Sequence, residues 1–321
     1  MLKSIEICAG AGGQAIGLEQ AGFEHVALVE IEHAYCETLR LNRPHWNVIE
    51  QDLRSFSGLQ YSDIDLLAGG VPCPPFSKAG KQLGHKDDRD LFPEAVRLVR
   101  EIMPRAVMLE NVRGLLDAVF DDYRKKIQKQ LDKLGYHTDW RLLNANDFGV
   151  PQLRPRVVFL AVRKDVLDVV PWPTSTQATG ATVGQTLEDL MAANGWRGAA
   201  RWAKQADEIA PTLVGGSKKH GGPDLGPTRA KRAWAALGVD GMGLANEAPA
   251  RDFVGAPKLT VRMTARIQGF PDEWRFHGPK TTAYRQVGNA FPPPVAKAVG
   301  AELARTLLAV SQKSKRRLKA A

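Results

Sequence analysis

A succession of short apolar runs, each halted at its carboxyl end by glycine or a carboxylate, most constrains what this chain can fold into. Ser4 to Cys8 runs into Ala9-Gly10-Ala11-Gly12-Gly13, and a helical stretch follows. His25 to Val29 ends in Glu30, Asn47 to Glu50 leads to Asp52, and Ile64 to Ala68 stops at Gly69-Gly70. Arg105 to Leu109 ends in Glu110-Asn111-Val112. Buried strands alternating with helical segments predict an α/β fold with a doubly wound, mostly parallel sheet. In such sheets ligands gather outside the carboxyl ends of the strands.

The strand ends carry the chemistry. Glycines in the first turn let backbone approach a ligand, and the following helix offers free amides at its N-terminus. A plain tight turn has the same pattern. Glu30 suits hydrogen bonding to ribose hydroxyls, and Asp52 could accept from an adenine amino group. Each acid alone also reads as a solvated loop residue; the strand ends in this order favour a cofactor containing a nucleoside.

The fourth strand delivers Gly69-Gly70-Val71-Pro72-Cys73-Pro74-Pro75-Phe76-Ser77. Proline fixes its own φ and restricts the residue before it, so the Cys73 thiol is presented stiffly. The alternative is a rigid turn around a buried cysteine, where free Cys usually resides. A polar stretch from Lys78 to Asp88 has the length of a functional lid. Ala95, Val96, Leu98, Val99 and Ile102 then keep helical spacing. Glu110, at the end of a buried strand beside the cysteine strand, is a candidate acid. Asp121 to Leu134 is a helix with a charged, solvated face.

Two further strands, Tyr136 to Leu143 and Val157 to Val162, flank Gln152-Leu153-Arg154-Pro155-Arg156. Arg154 and Arg156 alternate in an extended segment and are expected to point the same way. Forked donors at that spacing suit a phosphate or a base carbonyl; surface ion pairs are the alternative.

The 321 residues allow one large domain and a smaller one. Lys and Arg number 44 against 35 Asp and Glu, and the net charge of +9 favours a polyanionic partner. Cys8, Cys36 and Cys73 form neither a disulfide framework nor a zinc set, so no metal is expected. No apolar run reaches the roughly 20 residues of a membrane span, and the N-terminus lacks a signal peptide's apolar stretch; the cytoplasm is the expected location. Residues 171–257 are rich in Gly, Pro, Thr and Ala with poor periodicity, and contain Thr212-Leu213 and Thr228-Arg229-Ala230-Lys231-Arg232. They predict a loop-rich second domain with basic surfaces.

Taken together these blocks resemble the DNA (cytosine-5)-methyltransferases of bacterial and phage type. The resemblance rests on the glycine turn, Pro72-Cys73 with Phe76-Ser77, the block Asp87, Arg89, Leu91, Phe92, and Glu110 to Val112. It continues through Gln152 to Arg156, Arg262 to Pro271 and Gln286 to Ala290. It covers Ile5 to about Ala304, poorly in the middle. The family often has an aromatic residue where Cys8 stands and glutamine where Pro74 stands.

The resemblance implies a Rossmann-like methyltransferase fold, with residues 1–170 and 284–321 as catalytic domain and 171–283 as target-recognition domain and hinge. It implies Cys73 as nucleophile, Glu110 as acid, and Arg156, assisted by Arg154, on the cytosine. S-adenosylmethionine would be held by Ala9, Gly10, Ala11, Gly12, Gly13, Glu30, Ile31, Asp52, Leu53, Pro72, Leu91, Asn289 and Ala290. Ser77, Lys81, Gln82, Arg89, Thr212 and Leu213 would contact double-stranded DNA. A monomer is expected, with room for a separately encoded restriction endonuclease. Three other readings stay open: an RNA methyltransferase, whose distinctive CFT element is absent from the middle region; an inactive DNA-binding paralogue, although Cys73 and Glu110 are present; and a small-molecule methyltransferase, which the arginine pair and basic middle region disfavour.

Overall fold

The computed structural model describes residues 1–72, 90–175, 181–215 and 222–320, with residues 312–320 in backbone alone. The first half contains β1 (Leu2–Ile7), α1 (Gly13–Gln20), β2 (Phe23–Glu30), α2 (His33–Asn42), β3 (Val48–Glu50), β4 (Leu66–Gly69) and α3 (Phe92–Ile102). β5 (Ala106–Val112), α4 (Asp121–Lys133), β6 (Tyr136–Asn144) and β7 (Pro155–Arg163) follow. The strands form one seven-stranded sheet in the order β3-β2-β1-β4-β5-β7-β6. β1 to β5 pair in parallel, while β7 runs antiparallel between β5 and β6. The doubly wound, mostly parallel sheet expected from the apolar runs is therefore present. Its winding reverses between β1 and β4, which is where such a sheet opens a crevice.

Both faces of the sheet are covered, which explains why its central strands are apolar throughout rather than alternating. Leu67 packs with Ile5, Ile7, Val107 and Leu109 on one face. Its neighbours Leu66 and Ala68 pack with Ala106, Met108 and Leu18 on the other. The second face is closed by α10 (Pro293–Ala320), through Val295, Ala296, Val299, Leu303 and Leu307. The approach of α10 to α1 needs Gly17: a Cβ there would run into the Pro293 carbonyl and stand 2.5 Å from Ala296 Cβ.

A further core gathers α5 (Val183–Ala192), α6 (Ala199–Gln205), α7 (Thr228–Ala236), α8 (Val261–Ile267) and α9 (Lys280–Asn289) around Trp202, Trp234, Met263 and Tyr284. Poor periodicity predicts a loop-rich stretch between 171 and 257, and most of its described residues lie outside helices and strands. The three helices there are only 7 to 10 residues long, so each spans two to three turns and leaves a weak 3.6-residue signal. Another cluster, with Ile16, Trp46, Phe270, Trp274 and Val287, joins the glycine turn to the segments around α8 and α9. Among the described residues no helix is long and apolar enough to cross a membrane.

Candidate active site

The carboxyl ends of β1, β2, β4 and β5 open into one cavity of about 1020 Å³. It gathers Ala9, Gly10, Ala11, Gly13, Glu30, Ile31, Pro72, Leu91, Glu110, Arg156, Thr212, Leu213, Asn289 and Ala290. Residues singled out from distant parts of the sequence therefore face one space. Cys73, Ser77, Lys81, Gln82 and Arg89 lie outside the described residues.

At the end formed by the glycine turn the backbone bends sharply, with φ of 50° at Cys8, 57° at Gly10 and 86° at Gly12. A Cβ at Gly10 would meet nothing within 4 Å, whereas one at Gly12 would strike Leu39 and Trp274. Gly10 thus borders open space and Gly12 serves packing. Glu30 Oε2 accepts from the Gly10 amide at 2.8 Å, and its Oε1 accepts from Ile31 and Glu32, each at 2.9 Å. A carboxylate has roughly four acceptor positions, so Glu30 both ties the glycine turn to β2 and keeps capacity for a ligand. Burial raises its pKa against the pull of those amides.

Asp52 and Leu53 do not line the cavity. Leu53 is buried in the core. Asp52 accepts from the Arg54 amide at 2.9 Å and pairs with its guanidinium at 3.0 Å. Each Asp52 oxygen accepts one bond from Arg54, so the carboxylate keeps acceptor positions of its own outside the cavity wall.

Glu6 and Gln14 are among the cavity residues that sequence reasoning missed. Glu6 is fully buried, neither carboxylate oxygen has a hydrogen-bond partner, and burial, with Glu30 nearby, holds its pKa well above the usual range. Gln14 is 3% exposed with both side-chain polar atoms equally unpartnered. Both line the cavity. An acid set between Ile5 and Ile7 in a buried strand was the available signal. Tyr35 lines the same wall, and burial pushes its phenol up to about 12. Cys8 also faces the cavity, its thiol pushed upward chiefly by burial.

At the other end, β4 pairs Gly69 with Leu109, which brings Gly70 alongside Glu110. A Cβ at Gly70 would stand 3.4 Å from Glu110 Oε2, so glycine leaves that carboxyl its space. β7 places Arg156 opposite Val112, two positions from the partner of Glu110 and on the same pleat face. Arg156 Nε meets Glu110 Oε1 at 2.8 Å, with Glu110 buried and the Arg156 side chain 12% exposed. Desolvation nevertheless raises the Glu110 pKa, more than Arg156 and Arg154 lower it. Asn111, quoted in the sequence pattern without a role, donates from Nδ2 to the Val71 carbonyl at 2.8 Å. The Leu91 amide donates to the Pro72 carbonyl at 3.2 Å. Pro72 is thus held at a fixed point in the cavity wall.

Arg154 does not share the direction of Arg156. It is 0% exposed. Its Nη1 donates to Leu213 O at 2.7 Å, and its Nη2 to Gly288 O at 2.6 Å and Ala290 O at 3.1 Å. The residue precedes β7, in a segment that makes only an isolated bridge between Gln152 and Ala210, so the two-residue pleat period does not extend to it. Gln152 accepts from the Leu213 amide at 2.8 Å and donates to Gln268 at 2.7 Å. The Thr212 hydroxyl donates to the Leu153 carbonyl. This buried hub draws Thr212 and Leu213 into the cavity wall and turns both terminal nitrogens of Arg154 onto protein carbonyls, while its Nε is buried without a partner.

Comparison with known proteins gives a consistent result. The family model described as C-5 cytosine-specific DNA methylase matches residues 2–305. The chain is 58% identical to the Type II methyltransferase M.NgoMIV of Neisseria gonorrhoeae, across 95% of this chain and 97% of that protein. It is also 58% identical to the Type II methyltransferase M.NaeI of Lentzea aerocolonigenes, across 93% and 74% respectively. The solved structure of the Entamoeba histolytica methyltransferase EhMeth superposes with a TM-score of 0.65 at 16% identity, covering 96% of this chain and 98% of that one, a likeness of fold.

Proposed function

The chain belongs to the C-5 cytosine-specific DNA methylase family, and on that premise we propose that Cys73 opens the reaction on a flipped-out cytosine while Glu110 and Arg156 hold the ring. The observation that carries this reading is the Glu110–Arg156 pair at 2.8 Å, in the cavity that also holds the glycine turn.

Cytosine carbon 5 is a poor nucleophile until another nucleophile adds to carbon 6. A thiolate does this well and leaves again readily. As the Cys73 sulfur bonds to carbon 6, the displaced electron pair makes carbon 5 nucleophilic, and charge accumulates toward N3. Glu110 in its acid form donates a proton there. Arg156 donates to the ring carbonyl and, through its contact with Glu110, keeps the carboxyl oriented. Once carbon 5 carries the methyl group, a base takes its proton, the electron pair of that bond expels the thiolate from carbon 6, and N3 returns its proton to Glu110, which restores the aromatic ring and the acid. The target carbon is inaccessible in a stacked duplex, so the base must leave the helix.

S-adenosylmethionine is the methyl donor that fits the residues present, and when bound it supplies an electrophilic methyl group. The unpartnered buried atoms of Glu6 and Gln14 are polar groups of the kind that a ligand satisfies. Glu30 retains acceptor capacity, and Gly10 borders open space. Backbone from Ala9 to Gly13 would hold the methionine part and Glu30 the ribose, with Ile31, Pro72, Leu91, Asn289 and Ala290 as walls.

Residues 1–170 with 284–321 form the catalytic unit in this reading, and residues 171–283 the part that reads DNA. The packing of α10 on α1 and the second core around Trp234 support that division. The Type II names of the relatives support a cognate endonuclease encoded apart. The protein would act as a monomer on duplex DNA in the cytoplasm. Incubation with methyl-labelled S-adenosylmethionine and duplex DNA, RNA or neither tests the proposal: label should enter carbon 5 of cytosine in the duplex alone. Label in RNA alone, or in no polymer, would overturn it.

A further inference from the structure

α7 bears Thr228-Arg229-Ala230-Lys231-Arg232, a basic stretch that the cavity chemistry does not use. The helix is anchored by Trp234, which is fully buried in the second core. Lys231 is neutralised by Asp224 at 2.7 Å. Arg229 and Arg232 are both exposed, and neither pairs or hydrogen-bonds with another described residue. Elsewhere Arg97, Arg105, Arg163 and Arg266 each rest on a carboxylate, whereas Arg100, Arg113, Arg201 and Arg251 are exposed with no side-chain partner among the described residues; what sets the α7 pair apart is that its two arginines share one helix. Three residues apart, Arg229 and Arg232 are neighbours on one helix surface, and no acid stands in the first turn of α7.

The position of this helix gives its cations a direction of use. Gly226 lies just before α7; a Cβ there would be 2.5 Å from Val214 Cγ2 and 3.4 Å from Ala230 Cβ. Val214 itself lines the catalytic cavity. Gly226 thus bridges the first turn of α7 to a residue of the cavity wall. A duplex presenting a flipped base must lay its charged backbone over the neighbouring surface.

We propose that Arg229 and Arg232 bind backbone phosphates of the duplex next to the flipped-out cytosine, so that α7 sets how the DNA lies across the cavity. The assignment rests on the reading of duplex DNA as substrate. Its chemistry is that of forked, permanently charged donors meeting phosphate oxygens, a contact that positions the duplex and carries no sequence information.

The test is duplex binding by fluorescence anisotropy across a salt series, for wild type, Arg229→Gln, Arg232→Gln, the double variant, and Arg305→Gln as a charge control. Arg305 is exposed on α10 and paired with Glu302. Each α7 variant should lower the slope of log affinity against log salt by about 1. Its affinity should fall uniformly across duplex sequences, while S-adenosylmethionine affinity and the urea midpoint stay at wild-type values. Arg305→Gln should leave the slope unchanged. Unchanged slopes in the α7 variants, an equal change in Arg305→Gln, or a loss confined to particular sequences would each overturn the assignment. A wild-type protein that bound no duplex would instead defeat the reading of the substrate, so the two failures are distinguishable.

Discussion

Replacing Arg154 by Met should damage the fold rather than the grip on DNA. The side chain is buried and gives its donors to backbone: Leu213 O at 2.7 Å, Gly288 O at 2.6 Å and Ala290 O at 3.1 Å. The Ala290 carbonyl keeps a second donor, Gln268 Nε2 at 2.6 Å. Two carbonyls, those of Leu213 and Gly288, thus lose their charged partner. An orphaned buried acceptor costs about 1–3 kcal/mol, which gives roughly 2–6 kcal/mol for both. Removing a buried cation whose direct partners are carbonyls returns part of its desolvation cost, so a net loss of about 2–4 kcal/mol is expected. Urea unfolding followed by tryptophan fluorescence reads that loss, and the salt dependence of duplex binding is measured on the same variant at low denaturant. Stability should fall with the salt slope unchanged. An unchanged urea midpoint with a slope lowered by about 1 would show Arg154 to be a phosphate ligand and refute the argument from burial.

Glu110→Gln should keep S-adenosylmethionine affinity and lower single-turnover methylation by about 10²–10⁴-fold, the scale of a lost general acid. Because burial raises the Glu110 pKa, its acid form persists above the usual carboxylate range; transfer should slow as pH rises through that value, and Glu110→Gln should lose this limb of the profile. Glu6 carries the corresponding stability effect. Its folded pKa is raised, so its contribution is complete below the unfolded carboxylate pKa and is lost as pH rises through the folded one. Urea midpoints of Glu6→Gln should accordingly fall less than those of wild type over that rise in pH. Gly17→Ala should cost about 1–3 kcal/mol by overpacking, since the new methyl meets α10 backbone and Ala296 Cβ at 2.5 Å; an unchanged urea midpoint would contradict the described packing of α1 on α10.

The parts of the site that sit at strand ends were legible along the chain. Gly10, Glu30 and Glu110 each follow a buried apolar run, and a parallel sheet brings such ends to one edge whatever the intervening detail. Arg156 was legible for a related reason, since it lies within β7 and obeys the pleat. Arg154, two positions earlier, was not: its direction is set by carbonyls at 213, 288 and 290, distant partners that no local period encodes. Asp52 shows a local effect, since its partner Arg54 lies two residues away, a pairing that strand order alone does not reveal. Glu6 was passed over inside an apolar strand although a buried acid is itself a signal. In the middle region, short helices held by Trp202 and Trp234 owe their form to tertiary packing more than to their own pattern.

The covalent role of Cys73 is tested most directly with a duplex carrying 5-fluorocytosine at the methylated position. Fluorine cannot leave as a proton does, so once the methyl group has been transferred the thiol cannot be expelled. Incubation with S-adenosylmethionine, denaturing electrophoresis and mass spectrometry of the digested complex should find a methylated fluorocytosine bonded to the peptide containing Cys73. Cys73→Ser should yield no such adduct while still binding cofactor. Absence of an adduct with wild-type protein that methylates ordinary duplex, or an adduct mapped to Cys8 or Cys36, would contradict the account.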